Sequence, residues 1–143
     1  MEPAGPTDPT ISFLAFREPG GRPIAVFTAY SLRYVGGVGQ GHISADYFAV
    51  YASELARLMD AERLDPPLVG IMANSTSGDV NNTNFRQPRP GQQPYERIRH
   101  VAGAVAAKAK GALDQVTYRS DVTLDARFRA PKIGWRHPTE EQM

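Results

Sequence analysis

The run Ile24-Ala25-Val26-Phe27-Thr28-Ala29-Tyr30 constrains this chain more than any other. Its β-branched and aromatic residues suit a strand. Its only polar atoms are a threonine hydroxyl and a phenol, so it has no side to offer to water. Such a strand belongs inside a sheet with both faces covered. The rest of the chain must therefore supply neighbouring strands and covering layers.

The flanking pattern supplies them. Ile11-Ser12-Phe13-Leu14-Ala15-Phe16-Arg17 reads as a first strand, and Glu18-Pro19-Gly20-Gly21-Arg22-Pro23 as the turn of a hairpin, because Pro presets φ and Gly accepts positive φ. A Gly-rich loop occupies 31–43. Ser44 is positioned as an N-cap with Asp46 in the first helical turn, and Tyr47, Phe48, Tyr51, Leu55, Leu58 and Met59 recur at helical spacing, predicting a helix to about Glu62. Asp65-Pro66-Pro67 ends it. Leu68–Ala73 then reads as a buried strand, which makes 24–73 a βαβ unit with parallel strands.

Residues 86–94 read as an irregular surface segment. Pro94 is placed to open a second helix at its first position, running over 94–114 with a stripe of Ile98, Val101, Ala102, Val105, Ala109, Ala112 and Leu113. Val122, Leu124, Ala126, Phe128 and Ala130 alternate with polar residues and predict a half-exposed last strand. The predicted order is β-β-α-β-α-β: an α/β fold with a mixed β-sheet and packed helices, in one domain over 1–143. The two helices can cover one face of the sheet or one face each. If they share a face, the other is left for missing sequence, and the isolated chain is expected to be poorly soluble or molten-like.

Composition bounds the function classes. With 143 residues, 41% hydrophobic and 22% charged, the chain has ordinary globular usage and the length of one domain. No apolar run approaches the ~18 residues of a membrane span. The 16 basic and 15 acidic residues nearly cancel, which gives no field for nucleic acid. There is no Cys, which excludes disulfides and thiolate metal sites, and His occurs only at 42, 100 and 137. The compartment is not fixed by the sequence: Met1–Pro6 carries no secretory leader pattern.

Two loops are candidate sites. In 31–43, Gly37-Val38-Gly39-Gln40-Gly41-His42 does not fit the dinucleotide spacing, and no Gly-Lys-Ser/Thr is present. In 74–84, nine of eleven side chains are polar, directly after a predicted buried strand. That is the carboxyl edge of the sheet, where open α/β folds bind ligands. The same Asn, Ser and Asp residues can equally serve as turn caps. Ser77-Gly78-Asp79 is not a nucleophile elbow.

Two segments carry a resemblance. One is Ala29-Tyr30-Ser31-Leu32-Arg33-Tyr34-Val35-Gly36-Gly37 with Ile43-Ser44-Ala45-Asp46-Tyr47. The other runs from Gly70 to Phe85 and includes Asn74-Ser75-Thr76-Ser77-Gly78-Asp79-Val80-Asn81-Asn82-Thr83. Together they resemble the N-terminal domain of the neutral/alkaline non-lysosomal ceramidase family, in particular its bacterial ceramidase-like members. The resemblance implies a zinc-dependent amidohydrolase scaffold acting on N-acyl, sphingolipid-like amides. It also implies that this chain is a partial domain, a fragment or truncated paralogue inactive on its own, because the family's His-rich motif and its Glu and Tyr zinc ligands lie in segments not matched here.

Two positions depart from the family. Arg33 stands where a zinc-binding His is expected, and a guanidinium has no lone pair to donate. Asn81 stands where the family carries its catalytic Ser. The resemblance therefore leaves the catalytic residues unassigned and implies no metal site and no cofactor in this chain, with zinc belonging to the intact family. Arg33, Ser77, Asp79, Asn81 and Asn82 are the expected substrate-binding residues, with a small-molecule or lipid-like amide as the partner. The alternative is a non-catalytic descendant in which Arg33 holds a carboxylate or phosphate.

Overall fold

The computed structural model describes residues 5–78, 80–84, 86–87, 91–135 and 137–143. Its sheet has three strands, β1 (Ile11–Arg17), β2 (Pro23–Tyr30) and β3 (Val69–Asn74), in the order β1-β2-β3. β1 and β2 form the antiparallel hairpin, closed by a turn in which Gly21 takes φ 92° and its N–H donates to Glu18 O at 2.9 Å. β2 and β3 are parallel, with α1 (Asp46–Leu58) connecting them. α2 (Glu96–Leu113) follows, and a short 3-10 turn, Glu140–Gln142, lies near the end of the chain. The mixed α/β architecture expected from the sequence is present.

The register sorts the strand residues into two faces. Phe13, Thr28 and Met72 lie side by side, as do Ala15, Val26 and Gly70, and these rows face the helices. On α1, Tyr47, Tyr51 and Leu55 follow at intervals of four and are fully buried. α2 packs on α1 through Ile98, Val101, Ala102, Val105, Ala106, Ala109 and Leu113. Ala112 of the expected stripe is exposed and Ala106 takes part instead. Gly70 is required where α1 crosses β3: a Cβ there would lie 3.0 Å from Ala52 Cα.

The opposite rows, Leu14–Phe27–Ile71 and Phe16–Ala25–Val69, carry no helix. Leu14 is 57% exposed, Phe27 42% and Ile71 44%. The expectation that β2 is covered on both faces is therefore corrected. Both helices share one face, because the apolar stripe of α2 finds its partner in α1 and not in the far side of the sheet.

Three further expectations change. The segment 122–130 forms no strand; Leu124 and Phe128 are 89% and 94% exposed. Alternation supplies a side-chain pattern, but a strand also needs a backbone partner, and this segment has none. α1 ends at Leu58 and not near Glu62, through a Schellman arrangement. Asp60 takes φ 53°, Ala61 N–H donates to Ala56 O at 2.8 Å and Asp60 N–H to Arg57 O at 3.2 Å. Pro94 lies before α2, whose N-cap is Tyr95 in the left-handed region at φ 64°.

Candidate functional site

The parallel strands β2 and β3 end side by side at Tyr30 and Asn74. Two loops leave this edge, and backbone and hydroxyl bonds tie their first residues together. Ser75 N–H donates to Tyr30 O at 3.1 Å, and the Ser31 and Thr76 hydroxyls are 3.1 Å apart. Ser31 is buried where the two loops begin.

Asp46 fixes the first loop. The Ser44 hydroxyl accepts the Asp46 N–H at 2.9 Å, so Ser44 caps a turn one step before the helix and not the helix itself. The Asp46 side chain accepts N–H groups from Val35 at 3.0 Å, Gly36 at 2.8 Å and Tyr47 at 2.7 Å. Asp46 is buried and has φ 54°, a conformation that Asp tolerates better than most residues. Its three backbone donors offset the burial of the side chain. The Tyr47 hydroxyl donates to Leu32 O at 2.7 Å, and burial pushes that phenol well above its ordinary range. The Gly-rich loop is thus pinned to the start of α1, and Gly37 O accepts the Tyr95 N–H at 2.8 Å, tying it to α2 as well.

The second loop meets the first through Asn82, whose Nδ2 donates to Val35 O at 3.1 Å. Arg97 Nη2 on α2 donates to Asn82 O at 2.8 Å. Between the loops and α2 lies an open cleft of about 430 Å³. Tyr30, Leu32, Val80, Val101 and Val105 form its apolar wall, while Asn81–Asn84, Arg97 and His100 form its polar rim. Amide, guanidinium and imidazole groups beside hydrocarbon can bind and orient a polar group attached to an apolar chain.

The expected site residues divide. Asn81 and Asn82 reach the cleft. Ser77 is buried, with its carbonyl accepting the Val80 N–H at 3.2 Å. Arg33 is exposed and does not line the cleft, and Asp79 lies outside the described residues. Part of the polar density does cap turns: Asn81 Oδ1 accepts the Thr83 N–H and Asn84 Oδ1 the Arg86 N–H, both at 3.0 Å. Sequence reasoning missed Arg97 and His100. Their spacing of three on one flank of α2, next to the buried stripe, was the available signal.

Among the described residues no three His, Cys, Asp or Glu side chains gather in a group able to hold a metal ion. No helix among the described residues is long and apolar enough to cross a membrane. No family model, no curated protein and no solved structure matches this chain.

Proposed function

We propose that this chain is a fragment or truncated paralogue of a ceramidase-like amidohydrolase. Its part is to bind the polar end of an N-acyl, sphingolipid-like amide, and it does not hydrolyse the amide by itself. One observation carries the reading. The two segments that bear the family resemblance touch through the Ser31–Thr76 and Asn82–Val35 contacts, 45 and 47 residues apart in the chain, and Tyr30 and Leu32 of one line the same cleft as Val80–Asn84 of the other.

The chemistry of the cleft is consistent with binding. Asn81 offers an amide where the family has a nucleophile, and an amide can donate to an acyl carbonyl but does not attack it. Arg97 and His100 add polar contacts at the same rim, and Val101 and Val105 suit the first carbons of an acyl chain.

The test is an NMR titration with a soluble short-chain N-acyl amino alcohol, with fatty-acid release followed in parallel. Shifts gathered at Asn81–Asn84, Arg97 and His100 without release, zinc present or absent, are the expected result. Absence of clustered shifts would sink the binding reading. Zinc-dependent release would sink the claim that the chain is inactive. The exposure of Arg33 favours one second reading, an acidic ligand held by that cation. In that case Arg33→Ala weakens binding of a carboxylate-bearing analogue and leaves a neutral one unchanged.

A further inference from the structure

The uncovered side of the sheet bears three rows across its strands: Leu14–Phe27–Ile71, Phe16–Ala25–Val69 and Ser12–Ala29–Ala73. None of these positions is charged. A sheet with one face in water ordinarily alternates apolar and polar residues, and places charges on its outer side. At ~200 Å² for a large apolar side chain, the exposed fractions of Leu14, Phe16, Phe27, Val69 and Ile71 leave roughly 500 Å² of apolar surface. That is at the upper end of what a monomer tolerates in one patch.

We propose that this face is a docking surface for a second copy of the chain, the two sheets packing face to face as an isologous dimer with the Phe27 side chains near the twofold axis. The proposal does not rest on what the cleft binds; it concerns this chain by itself, whose bare face missing sequence would cover in a longer parent. Three observations favour a second copy. The face is uncharged, so it is self-complementary, and the net charge of +1 adds almost no repulsion between copies. Two such faces bury on the order of 1,000 Å², near the lower limit for a specific interface, which predicts a weak, reversible dimer. Backbone groups inside each sheet are already paired, so sheet-on-sheet packing buries side chains without leaving N–H or C=O groups unmet. The extended segment 122–130 laid over the same face would bury its own unpaired backbone.

Sedimentation velocity on the whole chain over about 5 to 500 µM tests this, a range suited to a micromolar dimer. A reversible shift from monomer to dimer is expected. Phe27→Lys should abolish it without changing the circular dichroism spectrum. Leu14→Lys, on the more exposed edge strand, repeats the test should Phe27→Lys misfold. Leu124→Lys with Phe128→Lys should leave the dimer intact. A monomer across the whole range would overturn the proposal, as would irreversible aggregates with no discrete dimer. Association lost in the tail variant but kept in Phe27→Lys would also overturn it, assigning the contact to the tail.

Discussion

The two sides of the sheet are made of similar residues and meet opposite fates. On the helix side, Val26 and Thr28 of β2 are sealed at 0% exposure beneath α1 and α2. On the other side, Phe27, between them in sequence, keeps 42% of its surface in water. Residue chemistry therefore does not decide which side is covered. The layers that reach each side decide it, and here both helices chose the same one.

The largest expected effect is a cavity on the covered side. Leu55→Ala should cost ~2–5 kcal/mol, while Ile71→Ala, across the sheet, should cost about 1 kcal/mol, because 44% of that side chain already faces water. Urea unfolding of both variants at low concentration checks the contrast. Equal costs would mean that the outer face is covered in solution.

Close approach gives the next effect. Gly70→Ala brings a methyl into Ala52 of α1, with a Cβ–Cβ distance of 3.1 Å, and should cost ~1–3 kcal/mol in thermal unfolding.

A similar cost attaches to the buried pair between Thr28 Oγ1 and the Tyr51 hydroxyl, which are 2.6 Å apart. Tyr51→Phe leaves the threonine hydroxyl buried without that partner, at ~1–3 kcal/mol. Adding Thr28→Val should cost much less than the sum of the two single changes, which a double-mutant cycle reads directly.

The covered side also sets an alkaline limit. Burial raises the Tyr47 and Tyr51 phenols above their ordinary value of 10.0, with the Thr28 bond partly opposing the shift at Tyr51. In the unfolded chain both ionise near that ordinary value. Their contribution is complete below about pH 10 and is lost as the pH rises beyond it. Unfolding free energy measured from pH 8 to 11.5 should fall only in the upper part of that range, and less steeply in Tyr51→Phe. The smallest effect belongs to Phe27→Ser: little change in monomer stability, and a gain in solubility read by light scattering.

Much of the fold was legible in the sequence. The hairpin, the βαβ unit and both helices follow from the Pro/Gly turn, the 3.6 spacing of Tyr47, Tyr51 and Leu55, and the apolar run ending at Ala73. The last strand was not, because the alternation of 122–130 describes side chains only. The end of α1 was missed because Asp60 takes the left-handed role that Gly usually signals. At the candidate site, Asn81 and Asn82 were visible as polar loop residues. Arg97 and His100 were not, since a helix flank becomes a cleft wall only when a loop is laid against it.

The sequence by itself determined the first three strands and two helices, their order and the pairing sense of those strands, because turn chemistry and apolar period act over a few residues. Only the tertiary structure decided that α2 would lie on α1 and leave one side of the sheet bare. Only it brought Leu32 and residues 80–84 to one cleft. Both outcomes depend on contacts between residues tens of positions apart, such as Ile98 packed in the core with Tyr51, or Asn82 on Val35. Such contacts form or fail according to which surfaces compete for burial, and that competition leaves no local mark in the chain.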